Sequence, residues 1–96
     1  MTMSRHYTND RQEREQLIQQ IGNGQIIKRV FTERAFYAIS STGIITIMNN
    51  KTFKVVTRII ARPNQLRKLY AVHNETVPKY LINQAIHHVN CGYNEV

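Results

Sequence analysis

The chain has 96 residues, enough for one ordinary domain that buries roughly 60–70 % of its extended surface, and 42 % apolar content with four Gly and two Pro excludes a disordered polymer. No uncharged apolar run approaches the ~20 residues of a membrane span, and the N-terminus carries no basic-then-apolar secretion signal. Thirteen Lys and Arg against six Asp and Glu leave +7, and the single cysteine, Cys91, excludes an internal disulfide framework.

A single domain over 1–96 is therefore expected, cytoplasmic, without a membrane partner. Residues 1–8 read as a flexible leader. Asp10 followed by Glu13 has capping-box spacing, and Leu17, Ile18 and Ile21 recur at helical intervals until Gly22-Asn23-Gly24, which predicts a helix over 10–22. The period then changes. Ile26 to Phe31, Ala35 to Ile39, Ile44 to Met48 and Phe53 to Ile60 are four β-rich runs, separated by the short polar breaks Thr32-Glu33-Arg34, Ser41-Thr42-Gly43 and Asn49-Asn50-Lys51. Connections this short make hairpins, so the sheet is an antiparallel meander. A short helix from Gln65 to Val72 follows Arg62-Pro63, and Thr76-Val77-Pro78 opens a last helix to about Val89. The fold class is α+β: an N-terminal helix, a four-stranded antiparallel meander sheet and two C-terminal helices.

The positive charge is concentrated. Between Lys28 and Lys68 stand Lys28, Arg29, Arg34, Lys51, Lys54, Arg58, Arg62, Arg67 and Lys68 against the single acid Glu33, a net +8. One electropositive surface is expected, with Lys28, Arg29, Arg34, Lys54, Arg58 and Arg62 as candidates for phosphate contacts and RNA, or else DNA, as the partner. Six such contacts would give a log–log salt slope of roughly −5 on duplex and −4 on a single strand. Tyr37, with Phe36 and Tyr7, is a candidate for stacking on an exposed base. The bland alternatives are a basic face that keeps the protein soluble and aromatics that fill core or rim.

A second group of residues suggests chemistry. With Leu17 at zero on a wheel of about 100° per residue, Ile21 falls near 40°, Arg14 near 60° and Ile18 near 100°, so Arg14 shares the core-facing stripe, with Arg11 beside it near 120°. A guanidinium there emerges at the rim of the helix–sheet contact or snorkels along the sheet edge to an acid such as Glu33. His6, on the segment leading into the helix, can overhang the same rim; its ordinary pKa of about 6.5 suits proton transfer at neutral pH, the alternative being a solvated tail residue. On the fourth strand Thr57 interrupts the face Phe53, Val55, Ile59, either as a satisfied β-former or aimed at a phosphate under the helix. His87, His88 and Cys91 stand at near-helical spacing, but His87 faces away from the stripe Leu81, Ile82, Ala85, Ile86 and Val89, so no metal and no cofactor are expected. The last helix packs on its own sheet or offers its apolar face to an inhibitor protein or a second copy of the chain.

His6, the basic helix start Arg11-Gln12-Glu13-Arg14, the stop at Ile21-Gly22-Asn23-Gly24, the meander and Val55-Val56-Thr57 together resemble the small bacterial RNase-toxin superfamily that gathers barnase, EndoU, colicin nuclease domains and RelE-type toxins, over about residues 5–62. The resemblance implies a helix packed on an antiparallel sheet and metal-free RNA cleavage in the cleft between them. By position, His6 resembles the general base or acid, Arg11 and Arg14 the cationic pair on the pentavalent phosphate, and Thr57 the late-strand hydroxyl. The second histidine that EndoU-like members use is absent from the strands; His73 is the nearest stand-in. The expectation is a metal-independent endoribonuclease, toxin-like or phage-borne, acting by 2′-hydroxyl transesterification. The alternative is a non-catalytic basic module of a phage or mobile element that binds nucleic acid or a nucleic-acid-processing enzyme. An interaction domain with incidental charge is a third.

Overall fold

The four β-rich runs form one antiparallel sheet in the order β1 (Ile26–Phe31), β2 (Phe36–Ser40), β3 (Ile44–Met48), β4 (Val55–Ile60), preceded by helix α1 (Thr2–Ile21) and followed by α2 (Pro63–Ala71) and α3 (Lys79–Asn90). This is the α+β architecture expected, in the expected chain order. The structure, a computed structural model, describes the backbone of residues 2–22 and 24–90 and the side chains of residues 12–22 and 24–88.

Helix α1 and strand β4 start elsewhere than the sequence reading has them, each for a local reason. Helix α1 begins at Thr2, so residues 2–8, expected as a flexible leader, are helical and Asp10 lies inside the helix instead of capping it. No Gly or Pro interrupts Thr2 to Ile21, so nothing in the chain stops the helix from extending N-terminally. Strand β4 begins at Val55 and not at Phe53, because Phe53 has φ 60°, in the left-handed region, where a ladder cannot start.

Alternation gives the sheet two working faces. Tyr37, Ile39, Ile45, Ile47 and Ile59 point to one of them, where α2 and α3 supply Leu66, Tyr70, Val77, Leu81 and Ala85. Ile39, Leu66, Leu81 and Ala85 are fully buried, each large aliphatic side chain contributing about 1.5–3 kcal/mol. In α3 the inward positions after Leu81 and Ala85 continue to His88, which is buried, whereas Ile86 of the expected stripe is exposed. The other face carries Ile44 and Ile60, onto which α1 lays Ile18 flanked by Leu17 and Ile21.

The β2–β3 turn ties these layers together. Thr42 Oγ1 donates to the Gly22 carbonyl at 2.6 Å, at the end of α1. Its one proton is then used, so Ser40 Oγ is the donor in the 3.0 Å hydroxyl pair, and Ser40 in turn accepts the Ile44 N–H at 3.0 Å. From α3, His88 Nε2 donates to the Thr42 carbonyl at 3.0 Å, which places a proton on that nitrogen. The approach to β1 is equally close: a Cβ on Gly24 would lie 2.3 Å from Ser41 Oγ, which accepts the Gln25 N–H, and the φ of 58° there favours glycine besides. Thr42→Val keeps the shape and removes the central hydroxyl, and urea denaturation should show a loss of about 1–3 kcal/mol.

Candidate functional site

A groove of about 590 Å³ opens between the sheet and α2. Its floor is Tyr37, Ile45, Ile47 and Ile59; α2 supplies Gln65, Lys68, Leu69 and Val72, and the β1–β2 turn supplies Thr32, Glu33 and Arg34. The turn is rigid: Thr32 Oγ1 donates to the Ala35 carbonyl at 2.9 Å and accepts the backbone N–H groups of Arg34 at 3.2 Å and Ala35 at 3.1 Å. An apolar floor with one aromatic ring and a few polar groups at the mouth is the composition of a small-ligand site.

Beside this floor lies the helix–sheet contact singled out by the sequence. Register places Val30, Tyr37, Ile47 and Thr57 in one row across the four strands. At the end of that row Arg14 Nη2 donates to Thr57 Oγ1 at 3.4 Å, a long bond for N–H···O. Two features make the contact: β4 is the strand against which α1 lies, and the ladder shifts register between Ile47 and Met48, a bulge that re-aims side chains locally. Thr57 is one strand spacing, about 4.8 Å, from Ile47 in the groove floor. The side chains of His6 and Arg11, expected at the same rim, lie outside the described residues; His6 belongs to α1 itself and not to a segment before it.

The candidate cations do not gather on one surface. Strand alternation sends Lys28 and Arg29 to opposite faces, and two of the six side chains are engaged by acids distant in sequence. Lys28 Nζ bonds Glu75 and sits 5.3 Å from the centre of the Tyr70 ring. Arg58 pairs with Glu15 of α1 at 2.6 Å. Arg34 is at the groove mouth, whereas Arg29, Lys54 and Arg62 are exposed away from it. The groove's second cation is Lys68, which the charge count included but the choice of phosphate contacts missed. Its signal was the spacing of α2, where Gln65, Lys68, Leu69 and Val72 recur at i, i+3, i+4 and i+7 and so share the flank that borders the groove. Tyr37 does line the groove, as a stacking role requires. His73 is exposed after α2, and His88 is held by the Thr42 carbonyl; Cys91 lies outside the described residues. Among the described residues no three His, Cys, Asp or Glu side chains are grouped to hold a metal ion.

No protein-family model, curated protein or solved structure matches this chain.

The Lys28–Glu75 pair has a measurable consequence. The hydrogen bond from Lys28 holds the Glu75 carboxyl below its ordinary range; desolvation opposes it, and the charges of Lys28 and His73 add smaller lowering effects. A carboxyl depressed in the folded state adds stability above its unfolded pKa of about 4.3 and loses it as pH falls through the folded value. Thermal midpoints measured between pH 7 and pH 3 should therefore fall less steeply in Glu75→Gln than in the wild type.

Proposed function

We propose that this chain is a basic module that binds single-stranded RNA, with a base seated in the groove on the helical face. The observation that carries this reading is the combination at one opening of Tyr37 on an apolar floor with Arg34 and Lys68 at the mouth, in a stretch of chain with a net +8. A groove of about 590 Å³ suits a nucleotide-sized group, and a splayed base is what a single strand offers and a duplex withholds. Phosphates on either side of that base would meet the two cations as charge-assisted contacts.

A second reading, metal-independent endoribonuclease, is favoured by one observation, the meeting of Arg14 with Thr57 at the β4 edge. In that chemistry a base removes the ribose 2′-hydroxyl proton and the freed oxygen attacks the adjacent phosphorus. An acid then protonates the departing 5′-oxygen, while fixed cations meet the charge gathering on the non-bridging oxygens. His6 would carry the proton and Arg14 the charge.

The binding reading is tested by fluorescence anisotropy with a labelled single-stranded RNA across a salt series. The wild type should bind with a negative log–log salt slope, and Arg34→Ala/Lys68→Ala should reduce that slope by about 1.4, two contacts at about 0.7 each. Absence of binding near physiological salt, or an unchanged slope in the double variant, would overturn it. Incubation of the same RNA with chelator present separates the second reading: cleavage lost in His6→Ala and Arg14→Ala supports a nuclease, and intact RNA leaves the binding module alone.

A further inference from the structure

On the sheet face opposite the groove, the row Phe31, Phe36, Met48, Val55 runs in register across all four strands. Phe53, from the β3–β4 loop, closes a three-ring cluster over it: centroids lie 5.7 Å from Phe31 to Phe36, 6.4 Å from Phe31 to Phe53 and 5.7 Å from Phe36 to Phe53. Helix α1 covers the other end of this face through Ile18 and leaves these rings open, with Phe31 56 % and Phe53 53 % exposed. An exposed apolar patch of this kind marks an interaction site.

Phe53 adds a second, independent observation. Its φ of 60° is a costly conformation for a bulky side chain, ordinarily filled by Gly or Asn. The loop does not need a phenylalanine to close. Its backbone is held by Phe53 N–H to the Asn49 carbonyl at 2.8 Å and Asn49 N–H to the Lys54 carbonyl at 2.9 Å, and Asn49 Oδ1 accepts the N–H groups of Lys51 and Thr52. Strain is thus spent on holding a half-exposed ring against two others, the mark of a site and not of a core.

Charge selects the occupant. Arg29 lies two residues before Phe31 on the same face, and Lys51 and Lys54 flank Phe53 in its own loop; among the described residues none of the three makes an ion pair. Cations around exposed aromatic rings oppose a second copy of this chain and favour a polyanion with flat apolar groups. The patch also continues the groove: the turn between Phe31 and Phe36 is the one that lines the groove mouth, and Asn50 Nδ2 ties it to the Phe53 loop through the carbonyls of Thr32 at 2.9 Å and Glu33 at 2.8 Å.

We propose that Phe31 and Phe53 form a stacking platform for successive bases of single-stranded RNA, with Arg29, Lys51 and Lys54 on the intervening phosphates. The proposal rests on the RNA-binding reading and extends its footprint over the β1–β2 turn to the second face. Phe53→Asn separates ring from fold, since asparagine accepts the left-handed backbone. Its thermal midpoint should equal or exceed that of the wild type while affinity for a labelled oligouridine falls about 5- to 150-fold, and Phe31→Ser should lose affinity in the same range. If both variants bind within about twofold of wild type while Arg34→Ala/Lys68→Ala is weakened, the platform is overturned and the groove stands. If the wild-type protein binds no RNA, both readings fall; binding of a glutamate-rich peptide in its place, abolished by Phe53→Asn, would assign the patch to an acidic protein.

Discussion

The chain of donors Ile44 N–H, Ser40 Oγ–H and Thr42 Oγ1–H, ending on the Gly22 carbonyl as acceptor, is the constraint on which the layers depend. Each hydroxyl both gives and takes, so the run has one direction and no orphan, and burial strengthens every link. Through it the β2–β3 turn fixes the end of α1. The same turn exchanges bonds with Gln25 at the entry to β1, where Ser41 N–H meets the Gln25 carbonyl at 2.8 Å and Gln25 N–H meets Ser41 Oγ at 3.1 Å. It receives His88 from α3 and gives the Gly43 carbonyl to Ala61 N–H at 2.9 Å. Helices α1 and α3, the sheet and the segment that leads into α2 are referenced to these few residues.

That concentration polarises the molecule. The end of the sheet at the β2–β3 turn is closed by hydrogen bonds. The opposite end, with the β1–β2 turn and the β3–β4 loop, presents the groove mouth, the open phenylalanines and the exposed cations Arg34, Lys51 and Lys54. A rigid scaffold at one end and chemically varied loops at the other is the usual division between what holds a domain together and what it shows to a ligand. Arg14 and Thr57 lie between the two ends, where α1 passes along β4.

The sheet and its order were legible because hairpin connections and period-2 alternation leave few other pairings for four short runs. The rim position of Arg14 was legible from a helical wheel, but its meeting with Thr57 was not: register sets Thr57 in the row of Tyr37 and Ile47, on the face α1 does not cover, so the two meet only at the β4 edge. Other features were not. Lys28 and Arg58 read as open cations, but Glu75 and Glu15 reach them across 47 and 43 residues, a tertiary fact that charge counting cannot see. Phe53 read as strand because its side chain favours strands, while its backbone follows the loop. His88 read as one of three residues at near-helical spacing with His87 and Cys91; it is buried, bonded to the carbonyl of a turn 46 residues away.

Asn50 joins two segments far apart in sequence into one mechanical piece, since its single amide group holds both carbonyls of the segment leading out of Phe31. Motion of that segment would disturb Arg34 on one side and the ring of Phe31 on the other. A shift imposed from either side is therefore passed to the other, and linkage makes the effect mutual. A polymer long enough to wrap around this corner would hold on as one cooperative unit, where fragments confined to a single face would dissociate independently.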